Sequence, residues 1–247
     1  MAESFFLLSR SSNGPMVLTH PFFGLSEPFC SLSHFLGAVI CLLLTLPIWR
    51  SAKGHFGHRI AIGVFCFSSV LLLTTSGVYH LLPPDTLGKA VFQKLDHAAI
   101  FILIAGTFTP MHSILFRGVR RWLPLALIWS IAAAGITIKT IYFAQVTETL
   151  SLGVYLGMGW LGIISGFLIY SQSGFSLIGP LLSGALSYTF GCFMEFTKSP
   201  VILPGIIASH ELFHVAVLIG IAYHWKFVRA VALQSDFRVT SKASCCN

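Results

Sequence analysis

The sequence predicts an all-α, polytopic membrane protein folded as a bundle of seven transmembrane helices, and three observations lead there. Charged residues make up only 9% of the 247-residue chain. A soluble domain carries about 25%, so water is the wrong solvent for most of this surface. Hydrophobic residues reach 55%, and they fall into long apolar segments bounded by charge, proline or polar clusters.

The first span, near 32–49, ends at Arg50 and Lys53. The second, near 59–82, opens at Arg59 and stops at Pro83-Pro84, because proline lacks the N–H that a helix interior needs. The third, near 97–115, opens beside Asp96 and ends before Arg117; the fourth, near 122–143, follows Arg120-Arg121. The fifth and sixth, near 150–170 and 175–194, are divided only by Ser171-Gln172-Ser173-Gly174, polar and flexible enough for a tight hairpin. The seventh, near 205–227, follows Pro204. At helical rise each can cross a hydrocarbon core about 30 Å thick. The organisation is an N-terminal tail over 1–30, a transmembrane domain over 31–230 and a C-terminal tail over 231–247. Phe5–Leu8, the apolar patch of the first tail, is too short for a signal peptide.

The net charge of +7 does not point to nucleic acid, because no basic stretch is interleaved with exposed aromatics. Lys and Arg sit between the apolar runs, where juxtamembrane residues belong. Seven spans put the termini on opposite sides, with five basic residues on the N-terminal side (Arg10, Lys89, Lys94, Lys139, Lys198) and ten on the other. By the positive-inside rule the N-terminus is exterior and the C-terminus cytoplasmic, in a multi-pass protein expected in the plasma (inner) membrane. Of the six cysteines, Cys41, Cys66 and Cys192 lie inside apolar runs, as small buried hydrophobes do. No CxxC pair supports a disulfide framework or a Cys-based zinc site. Cys245-Cys246 lack a terminal lipidation motif.

Ionisable groups inside a bilayer are costly and need a reason. The candidates are Ser76, His80, Asp96, His97, His210, Glu211, His214 and His224. His210 and His214 are spaced i, i+4 and share one helix face, the spacing that lets two imidazoles reach one metal. His80 lies three residues before Pro83-Pro84, and Asp96 opens the third span on that same side. Counting from Pro204, His210 lies roughly 9 Å into the seventh span and His214 about 6 Å deeper. Four groups from three helices therefore share one layer. Zn²⁺ fits this set best, since three neutral imidazoles with a fourth, open position describe a catalytic site. Asp96 is placed to act as general base, and Ser76 to orient it or a substrate carbonyl. Copper and iron also suit imidazole. His97 is expected in a supporting or packing role and His224 at the far interface, while His20, His34, His55, His58 and His112 give no signal.

His210-Glu211-Leu212-Phe213-His214 is also an HExxH string, in which a zincin would use the Glu as base. An intramembrane metalloprotease is the rival reading, but a third acidic ligand downstream of His214 is missing, as Asp236 lies in the tail. Glu211 is accordingly expected to support or pack.

In order, the segments Ser76-Gly-Val-Tyr-His80, Leu95-Asp96-His97-Ala-Ala-Ile100, Ile104-Ala-Gly-Thr-Phe-Thr-Pro110, Tyr155-Leu-Gly-Met-Gly-Trp160 and His210-Glu-Leu-Phe-His214, with Gly220 and His224, resemble the hemolysin III family within the progestin and adipoQ receptor superfamily. The resemblance spans about residues 30–230. It implies a seven-helix bundle with zinc held by His80, His210 and His214, Asp96 contacting it through water, and Ser76 nearby. It also implies a cytoplasmic N-terminus, opposite to the charge count, so both orientations stand. Similarity to alkaline ceramidases, which share the Ser-His, Asp and His-x-x-x-His elements, implies hydrolysis of a lipid amide, with a membrane lipid as substrate or ligand. Two further readings stand beside it: a receptor or sensor with structural zinc, and a membrane-lytic protein, although the few charges offer no obvious polar conduit.

Overall fold

The computed structural model describes residues 26–52, 56–203 and 207–243. Phe5–Leu8, His20, His55, Lys53, Pro204 and Cys245-Cys246 lie outside the described residues. Eight helices succeed one another: α1 (Pro28–Ser51), α2 (Phe56–Leu81), α3 (Leu87–Leu115), α4 (Val119–Ile141), α5 (Glu148–Trp160), α6 (Ile163–Ser173), α7 (Phe175–Thr197) and α8 (Ser209–Ala243). Among the described residues these make seven membrane-spanning segments, because α5 and α6 together form one, Glu148–Ser173. The protein is a multi-pass integral membrane protein, and no strand interrupts the helical pattern among the described residues. α8 continues past the 230 boundary expected for the domain, to Ala243.

The fifth span breaks where the sequence is least able to stay helical. Gly157, Gly159 and Gly162 crowd one stretch, and glycine costs helix stability. At the break the Gly162 N–H bonds the Gly159 carbonyl, a tighter turn than the α-helical one. The other helix ends obey local chemistry. Pro83-Pro84 close α2, and the Thr86 hydroxyl accepts from the Lys89 N–H to start α3. Thr147 caps α5 in the same way, each satisfying an orphan donor.

α2, α3 and α8 form the centre: 61%, 61% and 56% of their apolar windows are buried, against 22% for α4 and for the α5–α6 span. α1 packs on α2 and α8, α4 on α3, and α7 on α8, with α5 touching both α3 and α7. The outer helices leave Leu36, Leu43, Ile164, Phe167 and Phe190 exposed, as lipid-facing residues are. Lipid supplies no hydrophobic force between helices, so close backbone approach must hold them together. Gly106 provides one such approach: a Cβ there would lie 2.3 Å from Ser68 Oγ on α2.

Three hydrogen bonds pin the start of α1 to the end of α2: Glu27 N–H to the His80 carbonyl (3.2 Å), Ser26 Oγ to the Leu82 carbonyl (2.9 Å) and Ser31 Oγ to the Gly77 carbonyl (2.9 Å). They lay residues 27–34 against the layer that holds His80.

Candidate metal centre

The rings of His80, His210 and His214 meet in one cluster, with centroid separations of 5.3 Å (His80–His210), 4.5 Å (His80–His214) and 4.7 Å (His210–His214). The helical spacing on α8 turns both of its imidazoles the same way, and their Nε2 atoms face each other at 3.1 Å. Two nitrogens bound tetrahedrally to one zinc at about 2.0–2.1 Å would stand about 3.3 Å apart, so this separation is close to a ligand pair's. Cys30 joins them: one donor atom from each of Cys30, His80, His210 and His214 lies within 4.8 Å of all the others. Cys30, His80 and His214 are buried, whereas the His210 side chain keeps 40% of its surface open. The residues present fit a divalent cation such as zinc: soft and borderline donors, converging, at ligand spacing.

A surrounding layer of carboxylates and imidazoles orients this group. Glu27 Oε2 lies 2.5 Å from His80 Nδ1, which leaves the other ring nitrogen of His80 as the free lone pair, the arrangement seen where a carboxylate supports a metal-ligating histidine. Lys89 Nζ reaches the second Glu27 oxygen at 3.4 Å. Burial by itself would raise the Glu27 pKa. The hydrogen bond from His80 and the charges of His80, His210 and Lys89 outweigh it and hold the group down at about 2, so Glu27 is a carboxylate at any physiological pH. Glu195 approaches His210 Nδ1 at 3.6 Å. His34 sits behind His214, Nε2 to Nδ1 at 2.9 Å.

Asp96 is not among the four clustered donors. Asp96 and Ser76 line the same cavity as His80, His210 and His214. That cavity, about 680 Å³, lies between α2, α3, α5, α6, α7 and α8, in the size range of small-molecule sites. Its lining on α8 runs from His210 to His224, roughly 21 Å at helical rise. Beyond the polar layer its walls are almost entirely apolar, among them Leu103, Phe108, Met111, Leu152, Ile178 and Leu181.

Several sequence expectations need correction. His34 and His112, which gave no signal, are both buried and bonded. His34 supports His214, and His112 bridges the Arg120 carbonyl (3.0 Å) and Ser165 Oγ (3.1 Å), tying α3 to α6. His224, expected at the far interface, is buried in the cavity wall, its ring against Tyr188. A cysteine does stand with the histidines, without any CxxC pair. Glu27, Cys30 and His34 escape sequence reasoning, although their i, i+3, i+7 spacing puts them on one helical stripe. His97 keeps a supporting place, its Nδ1 against the Gln93 carbonyl at 2.8 Å. Glu211 is turned away from the role of a zincin base. One oxygen accepts the Ala208 N–H at 2.8 Å, as in a capping box, and the other faces Cys30 Sγ at 3.9 Å.

Seven apolar spans enclosing a histidine-rich cluster define the class: a polytopic membrane protein with a group of side chains that could hold a metal ion. The family model described as haemolysin-III related matches residues 24–225. Hemolysin-3 of Bacillus cereus is 34% identical over 198 residues, covering 78% of this chain and 85% of its own length. A hemolysin-3 homolog of Bacillus subtilis (strain 168) is 32% identical over 197 residues, with 78% and 87% covered. Progestin and adipoQ receptor-like protein 1 of Caenorhabditis elegans is 25% identical over 218 residues, 81% of this chain and 50% of that one. The chain belongs to the hemolysin III family, within the progestin and adipoQ receptor superfamily.

Proposed function

We propose that this protein is a zinc-dependent hydrolase of a lipid amide of ceramide-like form. One observation supports this above the others: the imidazole cluster and the Ser76–Asp96 pair open onto a single apolar cavity of about 680 Å³. His80, His210 and His214 would hold the zinc. Zinc in such a site polarises a carbonyl and brings the pKa of water close to neutral. Asp96 takes the proton from the attacking water and passes it to the departing amine nitrogen, so the C–N bond breaks to give a fatty acid and a free amine. Ser76, which lines the cavity with Asp96, would orient that carboxyl or the substrate carbonyl through its hydroxyl. The apolar wall along α3, α6, α7 and α8 takes the acyl chain.

The test is a hydrolysis screen of lipid amides with the purified protein in detergent or bilayer discs, run beside metal analysis. Fatty acid release that a chelator abolishes and Zn²⁺ restores is the expected result; zinc at about one per chain with no lipid amide cleaved rejects the hydrolase.

Cys30 favours a second reading. Four protein donors make a closed structural site, whereas three leave a position for chemistry, and the Cys30 thiol lies with the three imidazoles. Bound by all four, zinc would clamp α1, α2 and α8 together in a sensor or receptor, the word carried by the Caenorhabditis elegans relative's name. On the hydrolase reading Cys30→Ala retains zinc and turnover within about threefold. Zinc loss in that variant, with sulfur scattering in the X-ray absorption spectrum of the parent, would establish the closed site instead.

Glu27→Gln is expected to weaken zinc affinity by about 10–100-fold, the usual effect of losing a carboxylate that orients a ligating histidine. Competition with a chromophoric chelator measures it, and an unchanged affinity would show that His80 needs no such support.

A further inference from the structure

On the other flank of α8, away from the metal cluster, a groove of about 780 Å³ runs between α1 and α8. Its α1 wall extends from Ser33 to Ile48, roughly 22 Å at helical rise, more than one leaflet of a hydrocarbon core about 30 Å thick. The two helices meet at Gly37, where a Cβ would lie 2.6 Å from Leu218 Cδ2. Leu36, Ile40, Leu44, Ile221 and Ala222 make the rest of the groove apolar. At one end its character changes, for the last lining residues on α8 are Lys226 and Arg229, both exposed. Neither takes part in an ion pair among the described residues; Lys226 rests over the Tyr223 ring.

The charge around that end is one-sided. Arg50, Arg59, Arg117, Arg120 and Arg121 close the same ends of the spans. The carboxylates whose side chains are described (Glu27, Asp85, Asp96, Glu148, Glu195 and Glu211) all belong to the opposite layer. An apolar trough ending in two cations that are unpaired among the described residues complements an amphiphile with one anionic head.

We infer that the α1–α8 groove binds an anionic phospholipid of the surrounding bilayer, its phosphate between Lys226 and Arg229 and one acyl chain along α1. This site is separate from the cavity beside Asp96 and does not depend on the hydrolase reading.

The experiment is native mass spectrometry of the full-length protein taken from bilayer discs holding equal phosphatidylglycerol and phosphatidylcholine with matched chains. Each juxtamembrane cation gives about fivefold attraction for anionic lipid, so phosphatidylglycerol should be retained roughly tenfold or more over phosphatidylcholine. The double variant K226Q/R229Q should bring the ratio close to one, while R117Q/R120Q, on the same face but off the groove, should leave it within about twofold. Ala222→Trp, which fills the trough, should release both lipids, with circular dichroism confirming that each variant is folded. Equal retention of the two lipids by the parent would overturn the site, as would an equal loss in R117Q/R120Q or retained phosphatidylglycerol in Ala222→Trp.

Discussion

His214→Ala is expected to empty the metal centre, with zinc in the purified protein falling from about one per chain to under about a tenth. Structural zinc sites of four ligands carry about 10–16 kcal/mol of apparent binding energy, so one imidazole is worth roughly 3 kcal/mol, over a hundredfold in affinity. His214 also sits at the middle of the cluster, facing His210 through Nε2 and His34 through Nδ1, so its loss leaves two histidines without their partner. The natural control is His112→Ala. His112 is equally buried, but its bonds run to Arg120 and Ser165, so that variant should lose stability and keep its zinc. Zinc retained in His214→Ala, measured by plasma mass spectrometry on folded protein, would dismiss the proposed ligand set.

Asp96→Asn should separate chemistry from metal binding. The amide is isosteric, but it cannot take a proton from water. Loss of a general base costs on the order of 10²–10⁴ in kcat. Zinc content and KM should stay within about twofold, since Asp96 is not one of the four converging donors. Turnover unchanged by the substitution would remove Asp96 from the reaction, and zinc lost along with turnover would show that it ligates after all.

The bundle is legible in the sequence because lipid imposes one rule on every span: an apolar stretch long enough to cross, closed by charge or proline. The break at Leu161–Gly162 is harder to see, since the hydropathy of the fifth span runs through it and only the glycine spacing marks it. His210 and His214 are legible because one helical turn separates them, and His80 because Pro83-Pro84 fix its depth. Cys30, Glu27 and His34 are another matter. Their partners lie 181, 53 and 180 residues away in sequence, and nothing local says that α1 packs on both α2 and α8. His224 shows the same limit from the other side: depth is readable from position along a helix, but which neighbour covers the ring is decided by α7.

The pinning of α1 to α2 bears on how the molecule is made. Three of the four converging donors reside on the first and last spans, so a nascent chain threading into the bilayer holds only Cys30 and His80 until α8 docks. Any cation kept there must be delivered to a fully inserted polypeptide, and cells starved of that cation should accumulate a complete but empty seven-span protein rather than a stalled fragment.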